Sequence, residues 1–105
     1  MHLIDQQAHF WELYQNQDGY YLSIAVDMSS VVSCWDMALT ETEVQQFQSN
    51  GRIAIEELAD AIVAESYRGD FSNLEARKVS TDIQKELQYA YKAWKSKQIL
   101  TFKIN

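Results

Sequence analysis

The sequence predicts an α+β domain in which an antiparallel sheet, built from an N-terminal three-strand meander and a C-terminal strand, carries about three helices packed on one face. Three observations lead there. Residues 10–39 alternate apolar and polar side chains with a period of two between short turns, and later segments place apolar residues at helical spacing. The chain has 105 residues, 47% apolar and 23% charged, enough for one domain over residues 1–105 with a core of its own. There is no proline, no low-complexity linker and no internal repeat.

The first strand covers residues 10–15, with Trp11 and Leu13 on one face and Glu12 and Tyr14 on the other. Asn16-Gln17-Asp18-Gly19 is a hairpin turn, since Asp-Gly tolerates the positive φ of such turns. Residues 20–28 then send Leu22, Ile24, Val26 and Met28 one way and Tyr21, Ser23, Ala25 and Asp27 the other. After a tight turn at Ser29-Ser30, residues 31–39 return with Trp35, Met37 and Leu39 on the heavier face and Cys34, Asp36 and Ala38 opposite.

Helices follow. Thr40-Glu41-Thr42-Glu43 is a capping box, and Asn50-Gly51 ends the short helix it opens. Ile55, Leu58, Ala59 and Ile62 form the stripe of a second helix, with Glu56, Glu57 and Asp60 off it. Residues 67–80 are turn-rich, with a short strand expected around residues 74–79. A second capping-box pattern at residues 81–84 opens the longest helix, whose core stripe is Ile83, Leu87, Ala90, Tyr91 and Trp94. Leu100, Phe102 and Ile104 alternate with Thr101 and Lys103, which predicts a returning strand. Trp35 and Trp94 are expected in the core.

Charge is badly unmixed along the chain. Residues 1–65 hold eleven acids and one base, Arg52; residues 66–105 hold eight bases and four acids. The net formal charge of −6 argues against direct nucleic-acid binding and against attachment to anionic lipid. It suits association with a cationic partner. A single cysteine, Cys34, excludes an intrachain disulfide and a thiolate metal cluster, and the first residues lack a signal-peptide pattern. No apolar run is long enough for a membrane span. These features predict a cytoplasmic protein.

Catalytic and cofactor signatures are thin. Two histidines give no paired metal ligands, and three scattered glycines build no phosphate loop, so the chain reads as a non-enzyme without a cofactor or a metal site. What remains is acid and tyrosine. Glu12, Tyr14, Tyr21, Asp27 and Asp36 share the outward sheet face under the strand registers above, and Asp27 and Asp36 are expected to neighbour one another across the hairpin. Such a face suits docking onto Lys and Arg; the alternative is a helix that covers it and makes the tyrosines a second core layer. Glu56, Glu57 and Asp60 form a second acidic candidate along their helix.

The stretch from Tyr20 to Val63 runs YYLSIAVDM, a tight turn, VVSCWDMALT, the capping box TETE, a helix ending in NG, and RIAIEELADAIV. In layout it resembles the small immunity proteins that bacteria encode beside contact-dependent and other polymorphic toxins. That resemblance implies an acidic, cytoplasmic, non-catalytic protein that binds one cognate toxin domain, often a basic nuclease. It supplies no residue-by-residue correspondence. Glu12, Tyr14, Tyr21, Asp27, Asp36, Glu56, Glu57 and Asp60 are therefore the expected partner-binding residues. Two rival readings stand beside this one: an adaptor that self-assembles through the edge of the C-terminal strand, and a small-ligand module or enzyme with a pocket near Cys34 and Trp35.

Overall fold

The computed structural model describes the backbone of residues 1–28 and 31–104 and the side chains of residues 1–27 and 32–98; the expected Ser29-Ser30 turn lies outside the described residues. The elements run β1 (His2–Gln7), β2 (Trp11–Gln15), β3 (Tyr20–Met28), β4 (Val31–Ala38), α1 (Glu41–Asn50), α2 (Arg52–Tyr67), α3 (Ser72–Ala76) and α4 (Thr81–Ile104). The α+β class is as expected. The sheet is a four-strand antiparallel meander in the order β1-β2-β3-β4, so the expected three-strand meander gains a strand at its N-terminal side.

Local chemistry explains the turns and caps. Asn16 N–H donates to the Gly19 carbonyl at 3.0 Å, while the Asn16 side-chain oxygen accepts from the backbone N–H groups of Asp18 and Gly19 at 2.8 and 3.0 Å. The turn forms through this Asx arrangement, without a positive φ at Gly19. Both halves of the capping box at Thr40 are made: Glu43 N–H donates to Thr40 Oγ1 at 3.2 Å and Thr40 N–H donates to Glu43 Oε1 at 2.9 Å. Gly51 ends α1 at φ 72° and donates to the Phe47 carbonyl at 2.7 Å. α4 begins one residue earlier in effect than expected, because Ser80 Oγ accepts from Ile83 N–H.

The sheet is covered on both faces. On one, Trp11, Leu13, Leu22, Ile24 and Met37 pack with Ile55, Ala59 and Ile62 of α2 and Leu74 of α3. Trp35 joins this layer only half-buried, stacked on Phe71 with ring centroids 5.8 Å apart. On the other face, Tyr14 and Tyr21 pack with Leu87 and Ala90 of α4, flanked by Leu3, Ala38, Ile83 and Tyr91. Trp94 is half-buried and leans on Tyr91, with centroids 5.9 Å apart. The expectation of helices on one face is corrected: α4 crosses to the outward face, because its apolar stripe needs a surface and the tyrosine layer supplies one.

Two further elements differ from expectation. Residues 100–104 continue α4 as helix and form no strand, since nothing after Ser80 breaks the helical ladder. Residues 72–76 form α3, and the strand expected around 74–79 reduces to an isolated bridge between Lys78 and Met37.

Arg77 locks this corner. Its Nε and Nη2 donate to the Ala38 carbonyl at 3.2 and 2.8 Å, and its guanidinium forms a bidentate pair with the carboxylate of Glu43, the same group that caps α1. Both side chains are largely shielded from water, 14% and 17% exposed. Replacing Arg77 by methionine leaves Glu43 charged without its partner. The expected loss is about 2 kcal/mol in urea-induced unfolding, whereas Lys78→Met should leave the midpoint nearly unchanged.

Candidate functional site

The eight expected partner-binding residues fall in separate places. Ser23 stands opposite Glu12 on one side and Asp36 on the other, so Glu12 and Asp36 share a face two strands apart. Asp27 pairs with Val32 instead, near the far end of the hairpin. It lies four residues along the strand from Ser23, roughly 13 Å away. The expected Asp27–Asp36 neighbours are therefore not neighbours, and Asp36 partners Glu12.

Tyr14 and Tyr21 are 1% and 9% exposed beneath α4. They are core residues and offer no area to a partner, which corrects their assignment: the helix hides them. Glu56 is also withdrawn, because its Oε1 accepts from Arg52 Nε at 2.8 Å. The same guanidinium donates to Asp5 at 2.6 Å and to the Gln6 carbonyl at 2.9 Å, and lies 4.8 Å from the Trp11 ring centroid. Arg52 thus fastens the first turn of α2 to β1.

Glu57 and Asp60 remain on open surface. They lie on the outer side of α2, opposite its buried residues Ile55, Ala59, Ile62 and Ser66. At 100° per residue, positions 53, 57, 60, 64 and 67 fall within about 80° of arc. Ile53, Glu57, Asp60, Ala64 and Tyr67 therefore form one continuous stripe. Ile53 is 56% exposed and Tyr67 62% exposed, so two large apolar side chains bracket two acids. Among the described residues, neither Glu57 nor Asp60 takes part in an ion pair. Sequence reasoning missed Ile53 and Tyr67, although both stand off the α2 core stripe at positions that share the acids' face.

The topology also turns the uneven charge along the chain into charge separated across the sheet. α2 carries four acids against Arg52, and α1 adds Glu41, while Glu43 is neutralised by Arg77. On the opposite face α4 carries five lysines against Asp82 and Glu86. Such a dipolar molecule approaches a cationic surface with its α1–α2 side leading.

A second feature lies under α4. A cleft of about 270 Å³ opens between the helix and the sheet, lined by Glu12, Tyr14, Ser23, Asp36, Tyr91 and Lys92 among others. Ser23 Oγ donates to Asp36 Oδ1 at 2.6 Å. Burial raises the Glu12 carboxyl above its ordinary range and the Asp36 carboxylate raises it further, while a hydrogen bond from Tyr14 works the other way. Burial and the same carboxylates push the Tyr14 hydroxyl upward as well. Cys34 lines this cleft as expected for a ligand pocket, but Trp35 points to the other face. Among the described residues no group of three His, Cys, Asp or Glu could hold a metal ion, and no helix is long and apolar enough to cross a membrane.

The raised Glu12 pKa carries a stability consequence of definite sign. Between the ordinary glutamate value of 4.5 and the higher folded-state value, the folded chain holds the proton that the unfolded chain has lost. Stability from this group is therefore full below 4.5 and falls as pH rises through the folded pKa. Glu12→Gln should raise the melting temperature by a few degrees at pH 7 and leave it unchanged near pH 4. Parallel thermal melts at the two pH values check this.

Compared with protein-family models, with curated proteins and with solved structures, the chain matches none.

Proposed function

We propose that this chain is an immunity-type inhibitor that binds and neutralises a basic, nuclease-type toxin domain, docking through the outer face of α2. The exposed Ile53–Glu57–Asp60–Ala64–Tyr67 stripe carries this reading. Acids that form no ion pair among the described residues are available to a partner's Lys and Arg, and a flanking tyrosine and isoleucine supply area to desolvate those pairs. The acidic α1–α2 layer adds steering toward a basic cleft built to hold a phosphate backbone. The layout resemblance to small immunity proteins agrees with this chemistry.

Affinity capture of the tagged chain from its own cells at low and high salt tests the reading. The expected result is one basic protein, recovered in stoichiometric amount at low salt and less at high salt, whose own activity falls when the chain is added back. Recovery of no basic protein at either salt level would overturn it.

Self-assembly is the second reading, on a different footing from the sequence expectation. The C-terminal strand that was to supply a sheet edge is helix, but the lysine-rich face of α4 complements the acidic face of α2. A second copy docked head-to-tail would give open, salt-sensitive oligomers, visible by light scattering of the purified chain.

A further inference from the structure

The cleft beneath α4 combines features that the docking reading does not use. Glu12 and Asp36 stand on either side of Ser23 on its sheet side, near enough for the Asp36 charge to act on Glu12, and among the described residues neither is in an ion pair. Ala25 and Leu87 contribute apolar wall, and the rings of Tyr14 and Tyr91 close it. Tyr14 is 1% exposed and keeps its hydroxyl on Glu12.

From this cleft, its apolar walls and its two unneutralised carboxylates, we infer a binding site for a small organic cation, an alkylammonium ion with a short apolar stem.

Classes of occupant differ in what they would gain from this lining. Two carboxylates held together in a half-buried cleft repel one another in a medium less polar than water, and a cation between them removes that cost for both. A neutral apolar molecule would leave the repulsion in place. A divalent ion needs six or more oxygen ligands and gains nothing from the apolar walls beside the two carboxylates. An alkylammonium ion satisfies both halves of the site. Its three N–H donors meet Glu12 and Asp36, while its methylene stem lies against Leu87 and the tyrosine rings. A cleft of about 270 Å³ has room for it.

Lys92 also lines the cleft, on the α4 side, and makes no ion pair with Glu12 or Asp36. Its ammonium opposes an incoming cation, so removing that charge should tighten binding. This site and the α2 stripe sit on opposite faces of the sheet and stand or fall separately.

Titration of the ¹⁵N-labelled full chain with n-butylammonium chloride at pH 7.5, followed by amide chemical shifts, tests the site. Parallel titrations use n-butanol and sodium chloride. The inference expects saturable shifts at Glu12, Ser23, Asp36 and Gln88 with n-butylammonium alone. Asp36→Asn should weaken binding about tenfold, and Lys92→Met should strengthen it. Glu57→Lys/Asp60→Lys should leave it unchanged, so loss of partner docking and loss of this site are told apart. A capped Gly-Lys-Gly peptide identifies the source of the cation: binding at least as tight as n-butylammonium points to a protein lysine, and binding of the free amine alone points to a small amine. Absence of saturable shifts with both cations, equal shifts from n-butanol, or unchanged affinity in Asp36→Asn would overturn the inference. Because Asp36→Asn also removes one of two repelling charges, the variant is expected to fold; Lys92→Met gives an independent reading of opposite sign.

Discussion

Leu87→Ala is expected to remove about 3 kcal/mol of stability, a drop of roughly 15 °C in melting temperature for a chain of this size. Leu87 is 3% exposed and is the central α4 side chain over Tyr14 and Tyr21. Truncating it removes apolar contact and leaves a void that the flat tyrosine rings fill poorly. The experiment decides whether the second face of the sheet is core or surface. Were α4 not docked on that face, the Leu87 side chain would meet water and its loss would cost under about 0.5 kcal/mol. Urea unfolding of Leu87→Ala beside Tyr89→Ala makes the comparison internal, because Tyr89 is 72% exposed on the same helix. The Tyr89 variant should unfold with the wild type.

The second large effect concerns association. Reversing Glu57 and Asp60 to lysine is expected to slow capture of the basic partner at least tenfold at low salt, with the melting temperature changed little. Both positions are exposed and lysine is a good helix former, so the fold has no reason to respond. Tyr67→Ala should act differently, since it removes anchor area without changing charge. Its effect belongs in the dissociation rate, a loss of about 2 kcal/mol in affinity. Reversal of Asp27 should slow association less than reversal on α2, because Asp27 pairs with exposed Val32 near the hairpin end and is not part of the α2 stripe.

Much of this architecture could be read from residue order. The alternation through β2, β3 and β4 placed the described side chains named there on their correct faces, and the Thr40 box and Gly51 marked both ends of α1. β1 was illegible for a local reason. Leu3 and Ile4 are adjacent and are followed by Asp5-Gln6-Gln7, and a register shift between Leu3 and Asp5 breaks the period that would have betrayed a strand. The C-terminal segment misled in the opposite way. Five alternating residues imitate a strand, but a helix already running from Thr81 extends more cheaply than a new strand forms.

The candidate site was legible in composition and not in placement. The stripe of Ile83, Leu87 and Ala90 announced an amphipathic helix, yet nothing in its spacing says which face of the sheet it covers. That choice buried Tyr14 and Tyr21, enclosed Glu12 and Asp36, and left α2 as the open acidic surface. Glu56 was lost to Arg52 because the i,i+4 pair was joined by Asp5 of β1, a strand absent from the sequence reading. The charge asymmetry along the chain was plain from the start; its meaning changed when the meander put α2 and α4 on opposite sides.

The claim that the outer face of α2 meets a basic partner is tested most directly by the association rate of the captured partner with the wild type and with Glu57→Lys/Asp60→Lys, measured across a range of ionic strength. The wild-type rate is expected to fall steeply with added salt, and the variant rate to be slower at low salt and nearly flat. Equal rates with the same salt dependence for both proteins would contradict it.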